Sequence, residues 1–128
     1  MTEVIQPEDT LDTRERGYSQ ARIDDGVLFI SGIASRQSDG WIAHGDDIET
    51  QAAHVFDTLE TVLAEVDKDL SDVSKVTTYL IDVPRDSEGY LEVWNERFDD
   101  PYPCHTLLGV NELAVPEFLV EIDAEVVL

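Results

Sequence analysis

The sequence predicts an α+β layer, an antiparallel-rich sheet with two helices packed on one face in the order β-β-α-β-α-β-β. Three observations carry this. Residues 118–128 alternate with a period of two, placing Phe118, Val120, Ile122, Ala124, Val126 and Leu128 on one side and Glu121, Asp123 and Glu125 on the other. Residues 47–66 instead carry a helical stripe of Ile48, Ala52, Val55, Leu59, Val62 and Val66. Asp25-Gly26 separates two strand-like runs, 19–24 and 27–33, and both positions of a tight hairpin turn favour the positive φ that Asp and Gly tolerate.

The remaining elements follow in order. Val4-Ile5 is a short apolar pair suited to an edge strand. Asp39-Gly40, before Trp41-Ile42-Ala43, suggests a second, looser hairpin. Asp46 and Glu49 have capping-box spacing at the start of the first helix, with Asp in place of Ser or Thr. Residues 73–82 are rich in Val, Thr, Tyr and Ile and predict a strand ended by Pro84. Residues 87–99 predict the second helix, with Leu91, Trp94 and Phe98 on one face; residues 104–110 predict a strand after Pro101 and Pro103. Residues 1–128 form a single domain without repeats, a size sufficient for a core without disulfides or metal. The second face of the sheet has no helix left to cover it.

Charge bounds the function. There are 29 acidic residues against 8 basic, a formal net charge of −21. The acids are interleaved with apolar positions along the whole chain, which argues against an acidic tail or a disordered chain. The distribution suits a high-salt cytoplasm, where the Debye length falls to about 3 Å and carboxylate repulsion is screened. Nucleic acid and anionic membranes are poor partners, since both need a basic patch. No apolar run is long enough for a transmembrane span. The first twenty residues hold Glu3, Glu8, Asp9 and Asp12 and no apolar segment of the secretory kind, so a cytoplasmic location is expected. Cys104 is the single cysteine, which excludes an internal disulfide; a small buried residue is expected there.

Few residues suggest chemistry by pattern. Strand alternation puts Cys104 and His105 on opposite faces, so they cannot act as a nucleophile–base pair within one chain. His105 is open to two readings, a surface or interface histidine and a titratable group in a cleft. Among so many carboxylates its charged form should be favoured and its pKa raised. Glu121 belongs to an acidic strand face of the kind that is usually solvated. Tyr18 suits a core aromatic or a cleft lid. His44 and His54 lie ten apart with no second ligand pair, so no metal site is expected. Neither a phosphate loop nor a Gly-x-Ser-x-Gly motif is present.

Several segments together resemble the reactive-intermediate deaminase family (Rid, or YjgF-type). Gly17-Tyr18-Ser19-Gln20-Ala21 is similar to its Pro-Tyr-Ser-Gln-Ala, with Gly for Pro. Phe29-Ile30-Ser31-Gly32 resembles its apolar-Ser-Gly turn, and Trp94-Asn95-Glu96-Arg97-Phe98 its second-helix segment. Pro103-Cys104-His105-Thr106 and Val120-Glu121-Ile122-Asp123-Ala124 resemble its last two strands, and the match runs from Gly17 to about Val127. The resemblance implies a chorismate-mutase-like homotrimer whose open sheet faces meet on the threefold axis, with clefts between subunits. It implies deaminase-like hydrolysis of small enamines or imines of the 2-aminoacrylate type, without a cofactor. The residues it assigns are His105, Glu121 and Tyr18 for catalysis and Ser31, Gly32 and Asn95 for substrate binding. Deaminating members have an arginine at the position of His105, which grips the substrate carboxylate. Imidazole lacks that fixed, permanently charged fork. Arg14, Arg16, Arg22 and Arg36 lie near the matching segments and could compensate. The alternatives are a non-catalytic protein binding a small carboxylate metabolite and a trimeric interaction module.

The charge carries a direct test. Thermal unfolding should move to higher temperature as potassium chloride rises from dilute to molar, because screening relieves repulsion in the compact state. A melting temperature indifferent to salt would remove the high-salt reading.

Overall fold

The computed structural model describes residues 2–8, 10–37 and 43–128. Six strands build one sheet: β1 (Glu3–Ile5), β2 (Ala21–Asp24), β3 (Val27–Ala34), β4 (Lys75–Leu80), β5 (Cys104–Gly109) and β6 (Val120–Val127). Two helices, α1 (Ile48–Ala64) and α2 (Val83–Arg97), pack against it. The spatial order is β1-β2-β3-β6-β4-β5. Neighbours are antiparallel except β4 and β5, which run parallel and are joined through α2, the long crossover that parallel pairing requires. The Asp25-Gly26 hairpin forms with φ of 52° and 79°, and β1 lies at the sheet edge as its short apolar pair suggested. The Asp39-Gly40 turn lies outside the described residues.

One sheet face is the core. Val120, Ile122, Ala124 and Val126 of β6 are buried there with Leu28 and Ile30 of β3 and Val76 and Leu80 of β4. Helix α1 contributes Ile48, Ala52, Val55, Phe56, Leu59, Val62 and Leu63. Phe56 is the hub, with ring centroids 5.8 Å from Tyr90, 6.1 Å from Trp94 and 5.4 Å from Phe98. Gln51, fully buried, fastens α1 to the segment entering β6. Its Nε2 donates to the Gly45 and Glu117 carbonyls at 3.0 and 2.9 Å, and its Oε1 accepts from Leu119 N at 2.8 Å. This fixes the height of β6, and therefore of Glu121.

Element boundaries and faces differ from expectation in four places. The α1 N-cap is Asp47, whose carboxylate accepts from Thr50 N at 3.2 Å; the expected Asp46–Glu49 pair is one residue out of phase. Pro84 opens α2 instead of only ending β4: Asp82 caps the helix by accepting from Arg85 N at 3.1 Å, and proline's fixed φ suits the first turn. The inner face of α2 is Tyr90, Val93 and Trp94, while Leu91 is exposed, because the helix starts earlier and is rotated relative to the expected one. At the C-terminus Leu128 lies beyond β6 and is exposed.

No helix among the described residues is long and apolar enough to cross a membrane. The uncovered face carries Phe29, Leu108 and Val127, all exposed.

The packing hierarchy predicts a contrast. Phe56→Ala should lower unfolding free energy by about 3–5 kcal/mol, whereas Leu91→Ala should change it by about 0.5 kcal/mol or less. Chemical denaturation in molar potassium chloride reads both; equal losses would contradict the assigned α2 face.

Candidate functional site

The site begins with a turn. Thr13–Arg16 form one 3-10 turn capped by Asp12, whose carboxylate accepts from Arg14 N at 3.0 Å. Gly17 follows with φ of 83°. A proline, locked near φ of −65°, cannot occupy this position, so glycine in place of the family's proline has a conformational reason here. Buried Thr13 donates its hydroxyl to the Tyr18 carbonyl at 2.8 Å and holds the backbone of Tyr18 over the sheet.

Strand β3 supplies the opposite wall. Its register with β6 shifts between Ile30 and Ile33, a bulge that contains Ser31 and Gly32. Bulges re-aim side chains and recur beside functional sites. The Ser31 hydroxyl donates to the Ser19 carbonyl at 2.6 Å, and Ser31 N donates to the Gln20 carbonyl at 2.9 Å, so the bulge and the Tyr18 segment are one unit. Glu121 of β6 pairs with Ala34 and lies against Gly32. A Cβ on residue 32 would sit 2.9 Å from Glu121 Oε2, so the missing side chain leaves the room the carboxylate occupies.

Tyr18, Ser31, Gly32 and Glu121 thus line one cavity of about 280 Å³, completed by Ala34, Arg36 and Ala114. Burial raises the Glu121 carboxyl above the ordinary range; Arg36 opposes the shift and Asp123 adds to it. The carboxyl is therefore poised to exchange a proton more readily than an exposed glutamate near neutrality. A larger, shallow depression beside it is lined by Tyr18, Arg22, Ser31, Gly32 and Asp123 among others.

His105 is elsewhere. Its pairing with Val76 puts it on the helix-covered face, opposite Glu121. The ring stacks on Trp94 at 4.0 Å between centroids and 19° between planes. Its Nε2 lies 2.8 Å from Thr78 Oγ1, which is 2.6 Å from the Tyr90 hydroxyl. The expected rise in its pKa is reversed: burial, followed by the charge of Lys75, lowers it and favours the neutral ring. The expected carboxylates are not what the ring meets: it is packed against Trp94 and Tyr90, and burial there disfavours the charged form. Cys104 takes the opposite, uncovered face of edge strand β5 and is exposed, which corrects its expected place in the core. Asn95 is exposed on α2. Within one protomer neither His105 nor Asn95 joins the Glu121 cavity.

Two features were not legible in sequence spacing. The rings of His44 and His54 stack at 4.2 Å, although ten residues separate them along the chain. Burial, then the charge of His44, lowers the His54 pKa. Among the described residues no group of three or more His, Cys, Asp or Glu is placed to hold a metal ion. The other is the nearness of Arg36 to Glu121, which follows from the pairing of Ala34, two residues before it, with Glu121.

Comparison with known proteins assigns the fold to a family. The model described as Endoribonuclease L-PSP matches residues 10–128. The chain belongs to this family. Its members include the RutC family protein YjgH of Escherichia coli, 32% identical over 113 residues, covering 88% of this chain and 85% of that protein. The 3-aminoacrylate deaminase RutC of Acinetobacter baylyi is 28% identical over 105 residues and covers 82% of each chain. A solved structure of protein YjgH superposes with a TM-score of 0.87 at 30% identity, covering 97% of this chain and 94% of that one. The Rid/YjgF resemblance and the α+β architecture expected from the sequence are thereby established.

In this YjgF-family chain the neutral His105 ring belongs to the fold, with a defined consequence for pH. The unfolded chain takes up the proton more readily than the stacked ring. The ring's contribution to stability is therefore complete above the ordinary histidine range and is lost as pH falls below it. The His105 resonance should titrate below that of an exposed histidine by NMR, and His105→Gln should flatten that part of the stability curve. A His105 titrating above the free-histidine value would contradict the stack.

Proposed function

We propose that this protein is a small-metabolite hydrolase of the Rid/YjgF type, acting on enamines or imines related to 2-aminoacrylate. The observation that carries the reading is the convergence of Tyr18, Ser31, Gly32 and Glu121 on one cavity. The relative named 3-aminoacrylate deaminase supplies the reaction class. Water adds to the imine carbon, the carbon–nitrogen bond of the resulting carbinolamine breaks, and ammonia leaves a 2-oxo acid. Glu121 takes the proton of the attacking water and returns one to the departing nitrogen, a role suited to a carboxyl with a raised pKa. Tyr18 closes the cavity, and the Ser31-Gly32 bulge shapes its floor.

The working unit in this reading is a cytoplasmic homotrimer. Exposed Phe29, Leu108 and Val127 on the uncovered sheet face support a surface there for other copies of the chain. Assembly would also offer His105 and Asn95 of one subunit to a neighbour's Glu121 cleft, which a single protomer does not. The ribonuclease activity in the family's description suits this chain poorly, since a net charge of −21 repels RNA. No cofactor is required by the proposed reaction.

A second reading, a non-catalytic binder of small carboxylates, is favoured by one observation. His105 occupies the position of the substrate-gripping arginine, yet its ring is engaged by Trp94 and Thr78.

Ammonia release from freshly generated 2-aminoacrylate in molar potassium chloride separates the two readings. The native protein should accelerate release, and Glu121→Gln should lose roughly 10²- to 10⁴-fold of that acceleration. A trimer that binds a small 2-oxo acid without accelerating release would establish the binding reading. Activity untouched by Glu121→Gln would remove Glu121 from the chemistry.

A further inference from the structure

Glu121 and Asp123 share the uncovered face of β6, two residues and about 6.6 Å apart along the strand. Both are half-buried. Asp123 lines the shallow depression beside the Glu121 cavity, and Tyr18, Ser31 and Gly32 border both spaces. The two carboxyls keep different company. Glu121 lies against Gly32, with Tyr18 and Arg36 on the wall of its cavity. Asp123 Oδ2 accepts the Tyr79 hydroxyl at 2.8 Å. Tyr79 belongs to β4, where it pairs directly with Glu121, while Thr77 pairs with Asp123. The phenol therefore starts opposite one acid and reaches along the diagonal to bond the other, a span that an aromatic side chain covers.

This geometry gives Asp123 a fixed place from which to act on its neighbour. The Tyr79 hydroxyl keeps its proton: the hydrogen bond to Asp123 raises its pKa, followed by burial and the charges of Asp123 and Glu121. It is thus a lasting donor, and a carboxylate held by such a bond loses the freedom to swing away. The charge of Asp123 then works with burial, the larger cause, to raise the Glu121 pKa, against the opposing charge of Arg36. Other charged groups on this face have partners of their own. Arg22, in the depression, contacts Asp24 at 2.5 Å, and Lys75 of β4 donates to Thr106 Oγ1 at 2.5 Å. Glu125, the next acid along β6, is exposed. Unequal surroundings of this kind are what let two neighbouring carboxyls take different acid–base roles.

We propose that Asp123 and Tyr79 are positioning residues for Glu121: the Tyr79 hydroxyl fixes the Asp123 carboxylate, and that fixed charge makes Glu121 the member of the pair that holds and releases the working proton. The inference rests on the cleft reading given above and adds what sets the proton state of its acid. Neither residue touches the reacting atoms; each acts through Glu121. Loss of the Asp123 charge would leave Glu121 ionised to lower pH and make it a weaker base toward the attacking water. Loss of the Tyr79 hydroxyl would do the same in part, by releasing Asp123 from its place.

Two readouts in molar potassium chloride test it: the carbon-13 NMR titration of the Glu121 carboxyl, and the pH dependence of kcat/KM for ammonia release from 2-aminoacrylate. Asp123→Asn keeps an acceptor for Tyr79 and removes the charge. The Glu121 midpoint should move to lower pH, and the acid limb of the rate profile should move with it. Tyr79→Phe keeps the ring and removes the hydroxyl, so the midpoint should move the same way and less far. In the Asp123→Asn background Tyr79→Phe should add no further shift, because it acts through the charge already removed. Glu125→Gln, which removes one charge from the same strand, should leave the midpoint in place. Near-UV circular dichroism confirms that each variant is folded; if Asp123→Asn is not, Asp123→Ser removes the same charge and the same shift is expected. A midpoint unmoved by loss of the Asp123 charge would overturn the inference. So would a Tyr79→Phe shift as large in the Asp123→Asn background as in the native one. Shifted midpoints in a protein that releases no ammonia would overturn the hydrolase reading while confirming that the pair sets the proton of Glu121.

Discussion

The two-residue phase of β6 governs this molecule. β6 sits in the middle of the sheet between β3 and β4, so the face each of its side chains takes is imposed on its neighbours through register. Its apolar half, Val120 to Val126, is buried beneath α1 and α2. Its acidic half faces away. A shift of one residue would exchange the two sets, burying three carboxylates under the helices and exposing the core. Burial of that apolar set is what holds Glu121 at the cleft, and Gln51 anchors the entrance to the strand by hydrogen bonding to Glu117 and Leu119.

The cleft is a set of local departures from regularity placed on that regular frame. Gly17 turns the chain through a left-handed conformation, Thr13 ties down Tyr18, and the bulge at Ser31 and Gly32 breaks the β3–β6 register. Each carries a small conformational cost that the surrounding hydrogen bonds offset. Their joint effect is electrostatic as much as geometric. They partly dehydrate the Glu121 carboxylate, and this raises its affinity for a proton.

Regular structure was legible in the sequence because it repeats. The alternation of residues 118–128, the α1 stripe and the Asp25-Gly26 turn each state one preference several times over, and all three appear in the fold. Single positions were less legible. Cys104 looked internal by residue type, but an edge strand with one covered face left that position to His105. The start of α2 is hidden because proline both breaks a strand and suits the first turn of a helix, and the earlier start leaves Leu91 exposed while Tyr90 is buried. The pKa of His105 had the wrong expected direction because composition reports how many charges exist and not where the ring is buried. Tyr18, Ser31, Gly32 and Glu121 were found through likeness to a family, and their proximity is visible only once the bulge is in place.

The contact between Gly32 and Glu121 makes two distant positions a single unit of evolutionary change. While the carboxylate occupies its place, any larger residue at 32 must displace it, so glycine there is held by the acid and not by its own backbone, whose φ is unexceptional. Once a lineage gives up the glutamate, that restraint disappears and position 32 is at liberty to drift. Descendants of this scaffold that abandon the cleft should therefore record the loss twice, at residues 89 places apart in the chain but touching in the fold.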